Sequence, residues 1–183
     1  QILLCTTACN NHILIDGSQS MSWGEGDENK FQYVLRVAAG LGAITLASGD
    51  VLTIGLLQHG KVTAEFGPSR GQASLTRLFR FLERIEPDGE TDLNRAMRDY
   101  SILPRRAGLV ILISDLFADD GYELGLRQLM GRGHEAALVH VLAPDELDPP
   151  LAGDIQLVDI ETNQTQDVSL DGGLRERYRT RAR

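Results

Sequence analysis

Three oxygen-bearing side chains follow a short apolar run near the start of the chain. Residues 13–15 are typical of a strand buried on both faces, and Asp16, Ser18 and Ser20 come directly after them. Alternate side chains of an extended segment point the same way, so this spacing predicts that the three converge. One carboxylate with two hydroxyls suits Mg²⁺, Mn²⁺ or Ca²⁺ and does not suit metals that prefer thiolate or imidazole.

Two later stretches offer the further oxygens that such a cation needs. Thr91 lies in a polar turn before a helical pattern, and Asp115 follows the apolar run 109–114. Ligands bind open α/β sheets at the carboxyl ends of the strands. The sequence therefore predicts that these two residues join the first three around one site at that edge.

The set of five resembles the metal-ion-dependent adhesion site of von Willebrand factor A (vWA) domains in order and in residue type. This resemblance implies that Ser18, Ser20 and Thr91 bind the ion through their side chains. It implies that Asp16 and Asp115 bind directly or through water. Mg²⁺ is the expected ion, with Mn²⁺ or Ca²⁺ as alternatives.

Short motifs along residues 12–162 extend the resemblance to a bacterial and archaeal vWA-like family. Genes of that family are often neighbours of genes for MoxR-type AAA+ ATPases. The motifs are Ser20-Met21, Lys30-Phe31, Gly49-Asp50, Gly89-Glu90-Thr91-Asp92-Leu93, Ser114-Asp115-Leu116, Gly131-Arg132-Gly133-His134-Glu135 and Pro144-Asp145-Glu146-Leu147. The resemblance implies a fold and a metal site more firmly than an activity.

The function implied by this resemblance is protein binding rather than catalysis. In vWA domains the cation captures an Asp or Glu of a partner, and the implied partner is a MoxR-type ATPase or its client. Trp23 and Asp92 are candidate partner contacts. Each has a structural alternative, since Trp23 can pack as an amphipathic ring and Asp92 can cap the helix that follows.

Two other interpretations stay open at the sequence level. An Asp at a strand end near Mg²⁺ also begins phosphohydrolases of the haloacid dehalogenase type. Those enzymes need a second acid where Ser18 stands, and a lysine that neither the Thr91 loop nor the Asp115 turn supplies. Alternatively, the chain is a vWA-like scaffold whose polar loop holds no ion.

Composition narrows the remaining function classes. A length of 183 residues predicts one domain, and a net charge of −8 argues against nucleic-acid binding. No apolar run approaches the roughly 20 residues of a membrane span. Cys5 and Cys9 form no disulfide framework and no zinc motif, which favours free thiols and a cytoplasmic protein.

Hydrophobic periodicity predicts a doubly wound α/β domain. Residues 1–11 fit poorly and are expected to be a leader, an edge element or a piece of a longer chain, whereas residues 12–183 form one vWA-like domain. The pattern predicts a mostly parallel, Rossmann-like sheet with one antiparallel edge strand and helices on both faces. Further strands are predicted at 50–58, 62–66, 155–160 and 166–170, with a buried strand at 136–142, and Pro68 is expected to end the strand at 62–66. Helices are predicted at 30–48, 73–85, 93–100, 124–130 and from 174.

Overall fold

A computed structural model describes residues 8–24, 26, 29–90, 92–118, 120–147, 153–158 and 165–170. The strands are β1 (Asn10–Asp16), β2 (Val51–Gln58), β3 (Lys61–Arg70), β4 (Leu109–Ser114), β5 (Glu135–His140), β6 (Gly153–Val158) and β7 (Thr165–Leu170). The α-helices are α1 (Lys30–Ala47), α2 (Leu75–Leu82), α3 (Leu93–Ile102), α4 (Glu123–Gly131) and α5 (Pro144–Leu147). Two 3₁₀ turns cover Gln19–Ser22 and Gln72–Ser74.

The main sheet has five strands in the order β3-β2-β1-β4-β5. β1 lies at its centre, parallel to β2 and to β4, and β3 is antiparallel to β2. This topology confirms the predicted fold class. Ile15 of β1 is in register with Ile113 of β4. Asp16 and the residues that follow β4 therefore emerge together at the edge of the sheet formed by the carboxyl ends of its parallel strands.

The side chains of β1 alternate between two apolar cores, one on each face of the sheet. Ile13 and Ile15 pack with the core that α1 and α2 cover, whereas Leu14 packs with the core that α3 and α4 cover. All three side chains are fully buried. Burying one such side chain stabilises the fold by roughly 1.5–3 kcal/mol, so β1 is anchored from both sides.

Several elements differ from the predicted ones. β3 continues to Arg70 although Pro68 was expected to end it, because an edge strand tolerates a residue that cannot donate a ladder hydrogen bond. α2 is shorter than predicted, since its first turn is 3₁₀. The prediction of a buried strand at 136–142 is wrong. β5 is the outermost strand on the side opposite β3, and most of its residues are exposed.

The predicted final strands are present as β6 and β7, which pair antiparallel in a separate two-stranded sheet. The helix predicted from residue 174 lies outside the described residues, as does Cys5. Cys9 is an exposed free thiol. Within the described ranges, no helix combines the length and apolar character needed to cross a bilayer.

Candidate functional site

Asp16 is the last residue of β1, and its side chain is only 1% exposed. Its Oδ1 accepts hydrogen bonds from the backbone N–H of Ser18 at 3.0 Å and from Ser18 Oγ at 2.7 Å. Its Oδ2 accepts a hydrogen bond from Ser114 Oγ at 2.6 Å. Both oxygens of this buried carboxylate are therefore held in place by neighbouring donors.

Ser18 and Ser20 lie side by side, with 3.0 Å between their Oγ atoms. Ser20 belongs to the 3₁₀ turn Gln19–Ser22, so the Asp-x-Ser-x-Ser segment turns after Ser18 instead of staying extended. The hydroxyls nevertheless converge, because one tight turn brings residue 20 back beside residue 18. Ser18 Oγ donates its proton to Asp16 Oδ1, so Ser20 Oγ is the donor in the hydrogen bond between the two hydroxyls, and one lone pair of Ser18 Oγ remains for another partner.

Asp115 directly follows β4 and is 1% exposed. Its Oδ1 accepts a hydrogen bond from the backbone N–H of Phe117 at 3.0 Å, and its Oδ2 accepts one from Lys30 Nζ at 2.7 Å. Asp115 is close enough to Asp16 to raise the pKa of that carboxyl. Asp16, Ser18, Ser20 and Asp115 are thus brought to one edge of the sheet.

The backbone after Asp115 is strained. Leu116 has a φ of 60°, in the left-handed region that leucine rarely adopts. Its N–H donates to Ser114 Oγ at 2.8 Å, the same hydroxyl that donates to Asp16. Such strain costs about 1–3 kcal/mol and tends to occur at functional sites, so this turn is held in an unusual shape beside the two carboxylates.

Thr91 lies outside the described residues, but the loop before it is tied to the site. The backbone N–H of Gln19 donates to the carbonyl of Gly89 at 2.8 Å, and that of Asp88 donates to the carbonyl of Gly17 at 2.8 Å. Residues 88 and 89 therefore lie against the segment that carries Ser18 and Ser20.

Lys30 is a site residue that the sequence analysis missed. It begins α1, is 1% exposed, and places Nζ 2.7 Å from Asp115 Oδ2 and 2.6 Å from Glu146 Oε1. A lysine therefore lies beside Asp115, although neither the Thr91 loop nor the Asp115 turn supplies it. A signal was present, since Lys30 is spaced by four residues from Val34 and by eight from Ala38, on the buried stripe of the helix.

Glu146 of α5 completes the charged cluster. Its Oε1 binds Lys30, and its Oε2 accepts a hydrogen bond from the backbone N–H of Ala143 at 2.8 Å. Three carboxylates and one ammonium leave an excess of two negative charges when all are ionised. Burial raises the pKa of Asp16 to about 6, the Asp115 charge adds to this rise, and the Ser114 hydrogen bond opposes it.

The side chains around the site include two exposed aromatic rings. Trp23 follows the 3₁₀ turn and is 48% exposed, while its carbonyl accepts a hydrogen bond from the backbone N–H of Lys30 at 2.9 Å. Phe117, which the sequence analysis did not single out, is 47% exposed. Asp92 is the N-cap of α3, because its side chain accepts a hydrogen bond from the Arg95 N–H at 2.9 Å.

The donor set fits a small, hard divalent cation. Neighbouring ligands of an octahedral ion that binds oxygen at about 2.1 Å lie about 3 Å apart, and the two serine hydroxyls have this spacing. Among the described residues, no three His, Cys, Asp or Glu side chains form a group that could hold a metal ion. Any ion here would therefore depend on the hydroxyls.

Comparison with known proteins gives a family match over nearly the whole chain. The family model described as "Protein of unknown function DUF58" matches residues 6–183. An uncharacterized protein of Mycobacterium tuberculosis (strain ATCC 25618 / H37Rv) is 25% identical over 170 residues, which cover 91% of this chain and 53% of the relative. An uncharacterized protein of Mycobacterium avium is 32% identical over 107 residues, which cover 58% of this chain and 63% of the relative. This chain spans about half the length of the M. tuberculosis relative.

Two solved structures share the fold. An aerotolerance-related membrane protein from Bacteroides fragilis NCTC 9343, crystallised with multiple mutations to serines, superposes with a TM-score of 0.59 at 16% identity, covering 96% of this chain and 88% of that chain. The manganese-loaded TRAP protein of Plasmodium vivax superposes with a TM-score of 0.51 at 19% identity, covering 73% and 57%. The fold of this chain is therefore vWA-like.

Proposed function

This chain belongs to the DUF58 family, and we propose that it is a protein-interaction module in which a divalent cation captures an acidic side chain of a partner. The observation that carries this proposal is the pair of serine hydroxyls 3.0 Å apart beside the buried Asp16 carboxylate. The pair lies at the sheet edge where ligands of α/β folds bind.

The charge of the site supports cation binding. A buried excess of two negative charges is unfavourable unless a cation offsets it, and a divalent ion supplies two positive charges. Ser18 and Ser20 would bind such an ion directly, with Asp16 and Asp115 binding directly or through water. The manganese-loaded state of the vWA-like TRAP protein is a precedent for Mn²⁺ in this fold, and Mg²⁺ has the same preference for oxygen ligands.

Thr91 is proposed as the third hydroxyl ligand. It follows Gly89 by two residues, and two residues span at most about 7 Å. The Gly89 carbonyl accepts a hydrogen bond from the N–H of Gln19, which lies between the two serines, and this short spacing along the chain supports Thr91 as a ligand of the same ion.

The proposed partner is a protein that presents an Asp or Glu to the cation. When bound, the cation would supply a coordination position that a carboxylate can occupy. Trp23 and Phe117 would contact partner residues around that carboxylate, since both rings are about half exposed near the site. Following the family resemblance, we propose a MoxR-type AAA+ ATPase or its client as the partner, and a cytoplasmic location, where an ATPase finds its nucleotide.

The hydrolase alternative is not favoured. A phosphohydrolase of the haloacid dehalogenase type needs the strand-end Asp as a nucleophile, but both oxygens of Asp16 accept hydrogen bonds from serine side chains. Lys30 is also engaged by two carboxylates, so it is not poised to hold a phosphate. A scaffold with no ion would leave the charge excess uncompensated.

Two measurements on the purified chain test the proposal. Calorimetric titration should show that the wild-type protein binds Mn²⁺ and that Ser18→Ala loses this binding. A purified MoxR-type ATPase from the same organism should then bind the immobilised wild-type protein with Mn²⁺ present and should be released by EDTA.

Ser22→Ala is the matched control, because Ser22 belongs to the same 3₁₀ turn but bonds Gln19 instead of Asp16. It should keep both the cation and the partner. Partner binding that is unaffected by EDTA and by Ser18→Ala would refute the proposed mechanism, and a wild-type protein that binds neither Mn²⁺ nor Mg²⁺ would refute the metal site.

A further inference from the structure

The proposed cation would share Asp115 with a positive charge that the chain itself supplies. Lys30 Nζ lies 2.7 Å from Asp115 Oδ2, and both side chains are almost fully buried. Oxygen Oδ1 of the same carboxylate is already bonded to the Phe117 N–H. Each oxygen of Asp115 therefore already has one partner from the chain itself.

Glu146 holds Lys30 in this position. Its Oε1 lies 2.6 Å from Lys30 Nζ, and its Oε2 is fixed by the Ala143 N–H. Lys30 is also fixed at its backbone, since its N–H donates to the Trp23 carbonyl. The ammonium is thus anchored from two sides and does not sample the solvent as a surface lysine does.

We propose that Lys30 is an internal competitor of the divalent cation, which satisfies Asp115 when no metal is bound and thereby lowers the affinity of the site for metal. This inference rests on the proposed metal site. A fixed positive charge beside a metal ligand repels a divalent ion, and the repulsion is large in a buried setting where the effective dielectric constant is about 20 or less.

The competition has a consequence for partner binding. A cation that is held weakly by the isolated domain is held more tightly when a partner carboxylate adds a ligand and a negative charge. Lys30 would therefore make metal binding depend on the partner, and the two would bind cooperatively. A site without the lysine would stay loaded whether or not a partner is present.

Mn²⁺ titration of Lys30 variants tests this inference. Lys30→Met removes the ammonium and keeps a chain of similar length, and we expect it to raise the affinity for Mn²⁺ at least about tenfold. Lys30→Arg keeps the charge and should leave the affinity within about threefold of the wild-type value. An affinity that is unchanged or reduced in Lys30→Met would overturn the proposal.

A double variant separates the effect of competition on Mn²⁺ affinity from the effect of net charge, and it controls for misfolding. Lys30→Met leaves Asp115 and Glu146 without their partner, which destabilises the metal-free fold. The double variant Lys30→Met/Glu146→Gln removes one of these charges, so the net charge of the site equals that of the wild type. We expect it, too, to bind Mn²⁺ at least about tenfold more tightly than the wild type, and to gain more in Tm on adding Mn²⁺.

The outcomes distinguish this inference from the proposed function. If the wild type binds Mn²⁺ and the double variant binds it no more tightly, Lys30 does not compete, while the metal site stands. If the wild type binds Mn²⁺ more weakly than both Lys30→Met variants and gains affinity when the partner is present, competition is supported. If no form of the protein binds Mn²⁺ under any condition, both proposals fail.

Discussion

The two ends of β1 both carry a buried ionisable side chain, but their surroundings differ in kind. His12, near the start of the strand, is 4% exposed, and Asp16, at its end, is 1% exposed. Tyr100 OH donates to His12 Nδ1 at 2.8 Å, and His12 Nε2 donates to the Arg106 carbonyl at 3.0 Å. The histidine is thus neutral and fully paired within the fold.

The Asp16 end is charged and is not balanced by the chain alone. Asp115 and Glu146 share the single ammonium of Lys30, and the nearby Asp115 charge raises the pKa of Asp16. Burial moves both pKa values towards the neutral form, lowering that of His12 to about 4 and raising that of Asp16 to about 6. The comparison teaches that burial by itself does not mark a functional group. An unbalanced charge is the stronger indication of a functional group, because an external cation would offset it.

The largest expected effect concerns His12 and acid. The folded protein keeps His12 neutral down to about pH 4, whereas the unfolded chain protonates it below about pH 6.5. His12 therefore makes its full contribution above pH 6.5 and loses about 3 kcal/mol of it as the pH falls to 4. In metal-free buffer, the free energy of unfolding of His12→Gln should not fall in this way. Urea titration of the wild type and the variant at several pH values measures the difference between them. Parallel wild-type and variant curves would contradict the assignment of His12 as the buried neutral group.

Asp16 should show a dependence of opposite sign. Its raised pKa means that ionisation destabilises the metal-free fold as the pH rises from about 4 through 6. Asp16→Asn removes this cost and should stabilise the metal-free protein at pH 7 by about 2–3 kcal/mol while abolishing Mn²⁺ binding. Urea unfolding with EDTA and calorimetry with Mn²⁺ measure the two effects separately. A variant that is less stable and still binds Mn²⁺ would show that Asp16 serves packing alone.

Tyr100→Phe tests whether the His12 end is only structural. The change removes the hydroxyl that donates to His12 Nδ1 and should lower the free energy of unfolding by about 1–2 kcal/mol. Mn²⁺ affinity should stay at the wild-type value, because Tyr100 lies in the core beneath α3, away from Asp16. A loss of Mn²⁺ binding in this well-folded variant would mean that the two ends of β1 are coupled.

Asp92→Ala gives the smallest expected effect. Asp92 caps α3 through the Arg95 N–H, and losing an N-cap costs about 1 kcal/mol. Thermal unfolding should show this loss, whereas partner capture in the presence of Mn²⁺ should not change. Reduced capture by a fully folded Asp92→Ala protein would instead support the role of Asp92 as a partner contact.

Much of the fold could be predicted because its signals are local. The apolar runs that end at Asp16 and at Ser114 identified two central parallel strands, and their shared edge followed from the topology. The extension of β3 through Pro68 and the exposure of β5 could not be read in this way, since both depend on lying at a sheet edge.

The candidate site was predictable only in part, because its charge balance depends on long-range contacts. Lys30 reaches Asp115 across 85 residues and Glu146 across 116. Hydrophobic periodicity indicates which face of α1 is buried, but it does not indicate which carboxylates contact a lysine on that face. The oxygen-bearing side chains were visible in the sequence, and the ammonium beside Asp115 was not.

Anomalous diffraction from crystals soaked in Mn²⁺ would locate the proposed ion. We expect a manganese peak about 2 Å from Ser18 Oγ and from Ser20 Oγ, at the end of β1, in the wild-type protein and none in Ser18→Ala. A wild-type map at saturating Mn²⁺ with no peak at these two hydroxyls, or with manganese bound only elsewhere on the chain, would contradict the proposed metal site.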